Sequence, residues 1–358
     1  MILSLIYIDL KLKDIKSEKN VGKKRGIYMT EIAQYFTEQS NDKVRCTLCP
    51  HSCIISNGDR GICGVRENIE GRLYSINYGK ASSISIDPIE KKPLYHFYPG
   101  NKILSLGTFG CNFACDFCQN WQISQKEPPL RNITPEEVVE IALEKDLDQI
   151  AYTYSEPMVW YEFVKETSKI ASEHHISNVL VTNGYINPGP LTELLDYIDA
   201  ANVDVKAYRD GFYQQFTGGS LSPVLKTVEK MSSEIHLEIT TLIISDLNDD
   251  LNQLSELFSW LSGLNKGIPL HLSRYFPNYK MNRSATEIKK MKEVYELAQE
   301  YLDHVYLGNV NIKNTTDTYC PSCEDKLINR GLYSTKNKVD DGSCPYCGEE
   351  ITGEFRKK

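Results

Sequence analysis

The stretch Gly107-Thr108-Phe109-Gly110-Cys111-Asn112-Phe113-Ala114-Cys115-Asp116-Phe117-Cys118 follows directly on the apolar run Ile103-Leu104-Ser105-Leu106. An apolar run that breaks into Gly and Cys reads as a buried strand leading into a loop. Cys111, Cys115 and Cys118 stand in C-x3-C-x2-C spacing. Three thiolates from one short loop can bind three irons of a cubane and leave the fourth iron open, whereas a cluster held by cysteine alone takes four. An open position is what separates a catalytic metal site from a closed structural one. The competing readings are a fragment of a zinc site or three buried cysteines. A zinc site wants a fourth ligand nearby, and the loop offers no histidine.

The rest of the chain frames that loop. With 358 residues, 41% hydrophobic and 25% charged, it can form one large domain with appendages, or two domains. Its net charge of −8 gives no basic field to draw in a phosphate backbone, so nucleic acid is not an expected partner. No run of ~18 apolar residues is present, so no membrane span is expected. Met1 to Leu10 is apolar but has no basic segment before it and no small-residue cleavage site after it, which makes a poor signal peptide.

The eleven cysteines fall into three groups with none left over: Cys46, Cys49, Cys53 and Cys63; the loop above; and Cys320, Cys323, Cys344 and Cys347. Short C-x2-C spacings without a secretion signal argue for metal ligation in a reducing compartment, so a cytoplasmic metalloprotein is expected.

Residues 1–40 read as a mobile N-terminal tail containing Lys23-Lys24-Arg25, with Thr30 to Phe36 the first helix-like segment and Met29 an alternative start. Residues 41–100 read as a Cys-rich metal-binding module and linker. Its four cysteines suit either zinc or an iron–sulfur cluster, since thiolate serves both. Leu73 to Ser85 is β-like. Asp87 to Gly100 carries three prolines, which exclude a helix interior or a central strand. Composition favours an extended linker there; the alternative is a segment over the barrel mouth, with Lys91, Lys92, Tyr95 and His96 near substrate.

From 101 to 310 short apolar runs alternate with amphipathic ones. Strands are predicted at Ile103–Gly107, Gln149–Tyr154, Asn178–Thr182, Asn202–Lys206, His236–Ile243, Leu270–Tyr275 and His304–Leu307. Helices are predicted at Thr134–Lys145, Pro157–His174, Leu191–Ala200, Asp249–Leu261 and Ala285–Tyr301. Thr134 caps the first of them, with Pro135 at N1 and Glu137 at N3. Repeated βα units imply a parallel sheet with right-handed crossovers. About six of them make an α/β fold with a partial (β/α)6 TIM-like barrel, whose chemistry sits at the strands' C-terminal ends.

Polar residues cluster at those ends: the cysteine loop, then Tyr154-Ser155-Glu156-Pro157, then Thr182-Asn183-Gly184-Tyr185, then Asp204-Val205-Lys206. Strand alternation puts Asp204 and Lys206 on one face. Opposite charges on a strand expected to be buried must pair or bind something, because an isolated buried charge is costly. In the tail, residues 311–358, Cys320-x2-Cys323 and Cys344-x2-Cys347 are twenty residues apart, which is zinc-ribbon spacing. The same segment balances its acidic and basic residues, which disfavours docking on RNA through phosphates.

The cysteine loop, with Phe117 as the aromatic before the last cysteine, resembles the C-x3-C-x-aromatic-C of the radical S-adenosylmethionine (radical SAM) superfamily. The strand-end segments resemble those of glycyl-radical activating enzymes, such as the activator of pyruvate formate-lyase. There G-G-E-P contacts the methionine amine, D-T-N-G follows the third strand, and the Lys of D-L-K holds the methionine carboxylate. Here these read Tyr154-Ser155-Glu156-Pro157, Val181-Thr182-Asn183-Gly184 and Asp204-Val205-Lys206. Val181 replaces an acid tied to a monovalent cation, and Arg274-Tyr275-Phe276 stands where L-P-Y-H is expected. Over its whole length the chain is most similar to the AmmeMemoRadiSam-system radical SAM enzymes, through C-x2-C-P-H-x-C, the Asp87–Gly100 segment, Gly110 to Asn120 and the Cys-rich end.

The resemblance implies an enzyme in which Cys111, Cys115 and Cys118 hold a 4Fe–4S cluster that reductively cleaves S-adenosyl-L-methionine. The resulting 5′-deoxyadenosyl radical would abstract hydrogen from a substrate. Glu156 and Lys206 would fix the methionine ends, Asn183 and Asp204 would shape the floor under the adenosine, and Phe117 would present its backbone to the adenine. A protein substrate is expected, as for an activase. RNA or a small metabolite is the alternative class, and a non-enzymatic metal-bearing scaffold the third. Implied partners are Amme-type and Memo-type proteins and an external electron donor. The cofactors that the resemblance implies are the cluster and S-adenosylmethionine; the cysteine spacings add zinc in the tail and either zinc or a second iron–sulfur cluster at the N-terminal cysteines.

Overall fold

A computed structural model describes residues 30–331 and 334–355. Its central sheet contains β1 (Ser83–Pro88), β2 (Lys102–Gly107), β3 (Gln149–Tyr152), β4 (Ser177–Thr182), β5 (Ala200–Asp204), β6 (His236–Ile243), β7 (Leu270–Arg274) and β8 (Val305–Gly308), neighbours in that order. From β2 onward every pairing is parallel, and β1 runs antiparallel to β2. Between the parallel strands run α1 (Pro135–Glu144), α2 (Tyr161–Glu173), α3 (Pro188–Leu195), α4 (Asp210–Phe216), α5 (Leu221–Glu234), α6 (Leu251–Leu264) and α7 (Ile288–Gln299). The sheet is an open partial barrel, as the repeated βα pattern requires.

Local chemistry sets the elements. At the start of α1 the Thr134 hydroxyl accepts from Glu137 N and the Glu137 carboxylate accepts from Thr134 N, a complete capping box with Pro135 inside it. Along β3, Ile150 and Tyr152 pack outward with the helices, while Ala151 joins Ile103, Val179 and Ala200 in a separate buried cluster. The expected helix Leu191–Ala200 begins earlier, at Pro188, and Ala200 opens β5. Helix α5 was not among the predicted elements, although Val224, Val228 and Met231 form its buried face at helical spacing.

Residues 89–100 are neither a linker nor a cover for the mouth of the barrel. Pro88 pairs with Lys102 at the N-terminal end of β2, so the segment lies at the barrel's bottom, opposite the cysteine loop. Ile89, Leu94, Phe97 and Tyr98 are buried there against Ile103, Ala151, Val179 and Ala200. Glu238 of β6, fully buried, anchors the segment by accepting the backbone N–H groups of Tyr95 and His96 at 2.7–2.9 Å and imidazole N–H groups of His236 and His271 at 3.1 and 2.6 Å. Burial alone would raise the Glu238 carboxyl, but the two histidines hold it well below the usual range.

The C-terminal segment closes over the same end. A small sheet, Thr318–Tyr319, Lys326–Arg330 and Thr335–Asn337, carries Cys320, Cys323, Cys344 and Cys347 beside it. Tyr98 N donates to Glu354 O at 2.6 Å, Glu354 N to His96 O at 2.7 Å, and Arg330 reaches Tyr95 O at 2.5 Å. His96 is bracketed by Thr352 O at Nδ1 (2.7 Å) and the Tyr306 hydroxyl at Nε2 (2.5 Å), with the His304 ring 4.4 Å away. Burial pushes His96 well below the usual histidine value and His304 down to about 4.

Both folded-state values lie below the unfolded one. The stabilising contribution is therefore complete above pH 6.5 and lost as pH falls towards 4, by about 1.4 kcal/mol per pH unit per histidine. Amide exchange in residues 89–100 and 316–355 is expected to accelerate across that window ahead of exchange in the parallel strands.

At the N-terminal side, residues 1–29 of the expected tail lie outside the described residues. Thr30 to Phe36 is not helical: Glu31–Ile32 pairs with Arg72–Ser75, and Phe36–Glu38 pairs with Val44–Cys46. Tyr35, at φ +57°, turns the chain between them. Cross-strand partners override a weak local helical preference. The module packs on the barrel through a buried ion pair, Arg66 to Glu162 of α2 at 2.5 Å.

Candidate metal and cofactor site at the strand ends

Parallel strands in one register bring their C-terminal ends to one rim, and the expected site residues collect there. The loop after β2 is held by backbone bonds from Ala114 N to Thr217 O and from Asp116 N to Phe216 O, and by Asn120 Nδ2 to Tyr154 O at 2.7 Å. Phe117 is buried and packs its ring 5.8 Å from that of Phe212 on α4. Cys118 Sγ lies 3.3 Å from Ser124 Oγ.

Glu156 is 2% exposed and already has three donors: Met158 N at 3.0 Å, Thr182 Oγ1 at 2.6 Å and Asn183 N at 2.8 Å. It therefore braces the ends of β3 and β4 against each other. Burial pushes its carboxyl up to about 7 against those donors and Lys206. Asn183 Nδ2 donates to Asn112 Oδ1 at 2.8 Å and lies 3.7 Å from Cys111 Sγ, tying the end of β4 to the cysteine loop. Gly184 follows at φ +69°, and a Cβ there would stand 3.0 Å from Val203 Cγ1, so the turn requires glycine.

Asp204 and Lys206 do share a face, with Nζ 3.1 Å from Oδ2. Lys206 is the more enclosed of the two, its side chain 14% exposed against 39% for Asp204. Burial would lower the ammonium, but Asp204 and Cys115 outweigh it and hold Lys206 above the usual lysine value. Burial likewise pushes Cys115 up to about 12 despite Lys206, and Cys111 well above an ordinary thiol, with Glu156 adding to the effect. Unmetallated, these thiols stay protonated at neutral pH; a bound metal would make them thiolates.

The contact of Lys92 with Asp87 and Tyr154 emerged only in the fold. Lys92 is buried, donates to Asp87 Oδ2 at 2.8 Å and lies 4.3 Å from the centre of the Tyr154 ring, whose hydroxyl donates to the same oxygen at 2.6 Å. Burial would raise Asp87, but Lys92 and Tyr154 hold it well below the usual range. Tyr154 adopts φ +69°, where the resembled motif has glycine, and its side chain makes this contact. That departure was the available signal. Lys91 is exposed at 59%, while Tyr95 and His96 belong to the bottom of the barrel.

In the tail, Cys320 and Cys347 sulfurs lie 3.6 Å apart and those of Cys323 and Cys344 3.7 Å apart. Among the described residues this group alone brings three or more metal-ligating atoms within 4.8 Å of one another. Tetrahedral zinc with bonds of about 2.3 Å needs sulfurs about 3.8 Å apart.

Residues 105–258 match the radical SAM superfamily model. An uncharacterized protein of Methanocaldococcus jannaschii is 44% identical over 330 residues, covering 89% of this chain and 98% of its own. The chain belongs to the radical SAM superfamily. A second protein of that organism, named for glycyl-radical enzyme activation, is 27% identical over 56% of this radical SAM chain and 79% of its own. The 4-hydroxyphenylacetate decarboxylase activating enzyme of Clostridium scatologenes is 24% identical over 56% of this chain and 66% of its own. The matched segment spans the cysteine loop, Glu156, Asn183, Asp204 and Lys206, and ends inside α6. Among the described residues no helix is long and apolar enough to cross a membrane.

Proposed function

We propose that this radical SAM enzyme uses Cys111, Cys115 and Cys118 to hold a 4Fe–4S cluster and the surrounding rim to hold S-adenosylmethionine. The donor set fits: three thiols share one loop, Cys115 buried and Cys111 and Cys118 half-buried, with a cation, Lys206, held beside Cys115. When bound, the pair supplies one-electron cleavage of the sulfonium and a 5′-deoxyadenosyl radical that takes hydrogen from substrate. The chain's own groups orient and enclose. Lys206, kept charged by Asp204, is the counter-ion for the methionine carboxylate. Glu156 retains an acceptor position on Oε2 for the ammonium while bracing the strand ends. Asn183 fixes the wall beside Cys111, and Asp204 extends the floor beneath the adenosine. Phe117, anchored on Phe212, sets the backbone that meets the adenine. The observation that carries the reading is the meeting of the three-thiol loop with the Asp204–Lys206 pair at one end of a parallel sheet.

Lys206→Ala is expected to weaken S-adenosylmethionine binding about 10- to 150-fold, the equivalent of roughly 1.5–3 kcal/mol for a lost charged hydrogen bond, without changing the cluster's absorption. Equilibrium binding to the reconstituted protein measures this; an unaltered Kd would return the pair to a purely structural role.

The substrate proposed is a polypeptide. Two relatives carry the names of activating enzymes, and the sheet ends in unclosed edges at β1 and β8, which leaves room for a large partner. Proteins of the Amme and Memo types are the first candidates to add. Anaerobic incubation with dithionite, S-adenosylmethionine and cell fractions separated into protein, RNA and small molecules tests it. The protein fraction is expected to stimulate 5′-deoxyadenosine release; stimulation by RNA or metabolites alone overturns it.

The tail is proposed to hold structural zinc. About one zinc per chain is expected to survive aerobic purification, since the metal has no redox chemistry and the site is closed. Cys344→Ser should release it and loosen residues 316–355 first, because structural zinc contributes on the order of 10 kcal/mol to folding so small a unit. Iron that bleaches in air at this site would contradict the assignment.

A further inference from the structure

We propose that Cys46, Cys49, Cys53 and Cys63 hold a second iron–sulfur cluster that relays electrons to the rim loop. All four thiols line one small enclosed cavity, together with His51 and Arg66. The spacing of the sulfurs decides between the metals. In the tail, four sulfurs converge to the separation one zinc ion requires. Neither the rim three nor the N-terminal four converge that far. The N-terminal set, like the rim set, is thus held more widely than a single zinc ion requires, which favours a cluster over one ion.

Charge points the same way as enclosure. Arg66 is 1% exposed and forms part of the cavity wall; its Nη atoms bond Glu162 and Gln34 O, while its Nε has no partner. A buried guanidinium nitrogen left unpaired is costly. Glu162 already balances its charge, and a tetrathiolate cluster in the cavity would supply the sulfur acceptor that the Nε lacks.

The two cysteine loops also touch. Gly110, at φ +86°, packs so tightly on the module that a Cβ would stand 2.6 Å from Cys63 O and 2.5 Å from Val65 Cγ1. His51 Nε2 lies 2.7 Å from Asn112 O. Both contacts flank Cys111, so each set is joined to the other by one hydrogen bond or one van der Waals contact plus a few covalent bonds. The step is a one-electron transfer with no bond made or broken. A low-potential protein donor is oxidised, the N-terminal cluster is reduced and then reoxidised, and the rim cluster is reduced.

The relay rests on the rim reading; the ligand assignment does not. The test is a Cys111→Ala/Cys115→Ala/Cys118→Ala variant, reconstituted anaerobically with iron and sulfide, with retained tail zinc as the control for folding. It is expected to keep about four irons and an equal amount of labile sulfide per chain, against about eight in wild type, with a reducible cluster signal in electron paramagnetic resonance. Adding Cys49→Ala should remove that iron. Iron-free triple variant carrying a second zinc overturns the proposal, and leaves S-adenosylmethionine cleavage by the wild type untouched. Should the triple variant not fold, about four rather than eight irons in the wild type by Mössbauer spectroscopy overturns it equally. For the relay, Cys49→Ala should retain 5′-deoxyadenosine release with dithionite and lose most of it with a reduced ferredoxin-class donor. Equal loss with both donors would overturn the relay.

Discussion

With Cys115 replaced by alanine, reductive cleavage of S-adenosylmethionine is expected to fall at least ~1000-fold, the equivalent of about 4 kcal/mol of barrier, while the fold survives. In the proposed site the thiol is one of three ligands that the loop contributes, so its loss would leave too few to keep a cluster in place. The loop itself does not depend on that sulfur. Its neighbours are pinned by Ala114 N to Thr217 O, Asp116 N to Phe216 O and Asn120 Nδ2 to Tyr154 O, none of which involves the side chain of Cys115. Removing one buried sulfur should cost no more than about 1–2 kcal/mol of stability. Chromatographic assay of 5′-deoxyadenosine and circular dichroism of the same sample separate the two effects. Wild-type release from the variant would remove the loop from the chemistry.

Glu238→Ala is expected to cost the barrel itself about 3–5 kcal/mol, because it strips a buried carboxylate from its partners. Two backbone N–H groups of the 89–100 segment and two histidines would lose their common acceptor in the barrel's interior. The damage should be local before it is global. Residues 89–100 and the four-cysteine tail that leans on them should become sensitive to protease while the parallel strands remain protected. Glu238→Gln keeps an acceptor but not the charge, and should fall between the two. A wild-type denaturation midpoint for Glu238→Ala would show that the segment is held by its apolar residues alone.

The clearest contrast between sequence and fold lies in residues 87–100. Its prolines excluded regular structure, and composition then favoured a linker; nothing local indicated that Leu94, Phe97 and Tyr98 were core residues. The segment's polar anchors are remote: Glu238 is 143 residues from Tyr95, and Thr352 is 256 residues from His96. The same distance hid the contact of Asp87 and Lys92 with Tyr154, and the contact of the N-terminal module with the rim loop at Gly110 and His51. Glu156 was legible as a rim residue, but its bracing bonds to Thr182 and Asn183 were not.

By itself the sequence determined the three cysteine sets, the βα alternation and the rim positions of Glu156, Asn183, Asp204 and Lys206. Metal spacing within a loop and hydrophobic period within an element are short-range constraints, expressed over a few residues. Tertiary structure alone decided which end of the barrel is plugged, what the plug is anchored to, and how widely each set of sulfurs is held. Those depend on which distant surfaces meet when the parallel sheet curls, and side chains separated by a hundred residues or more leave no periodic trace of their meeting.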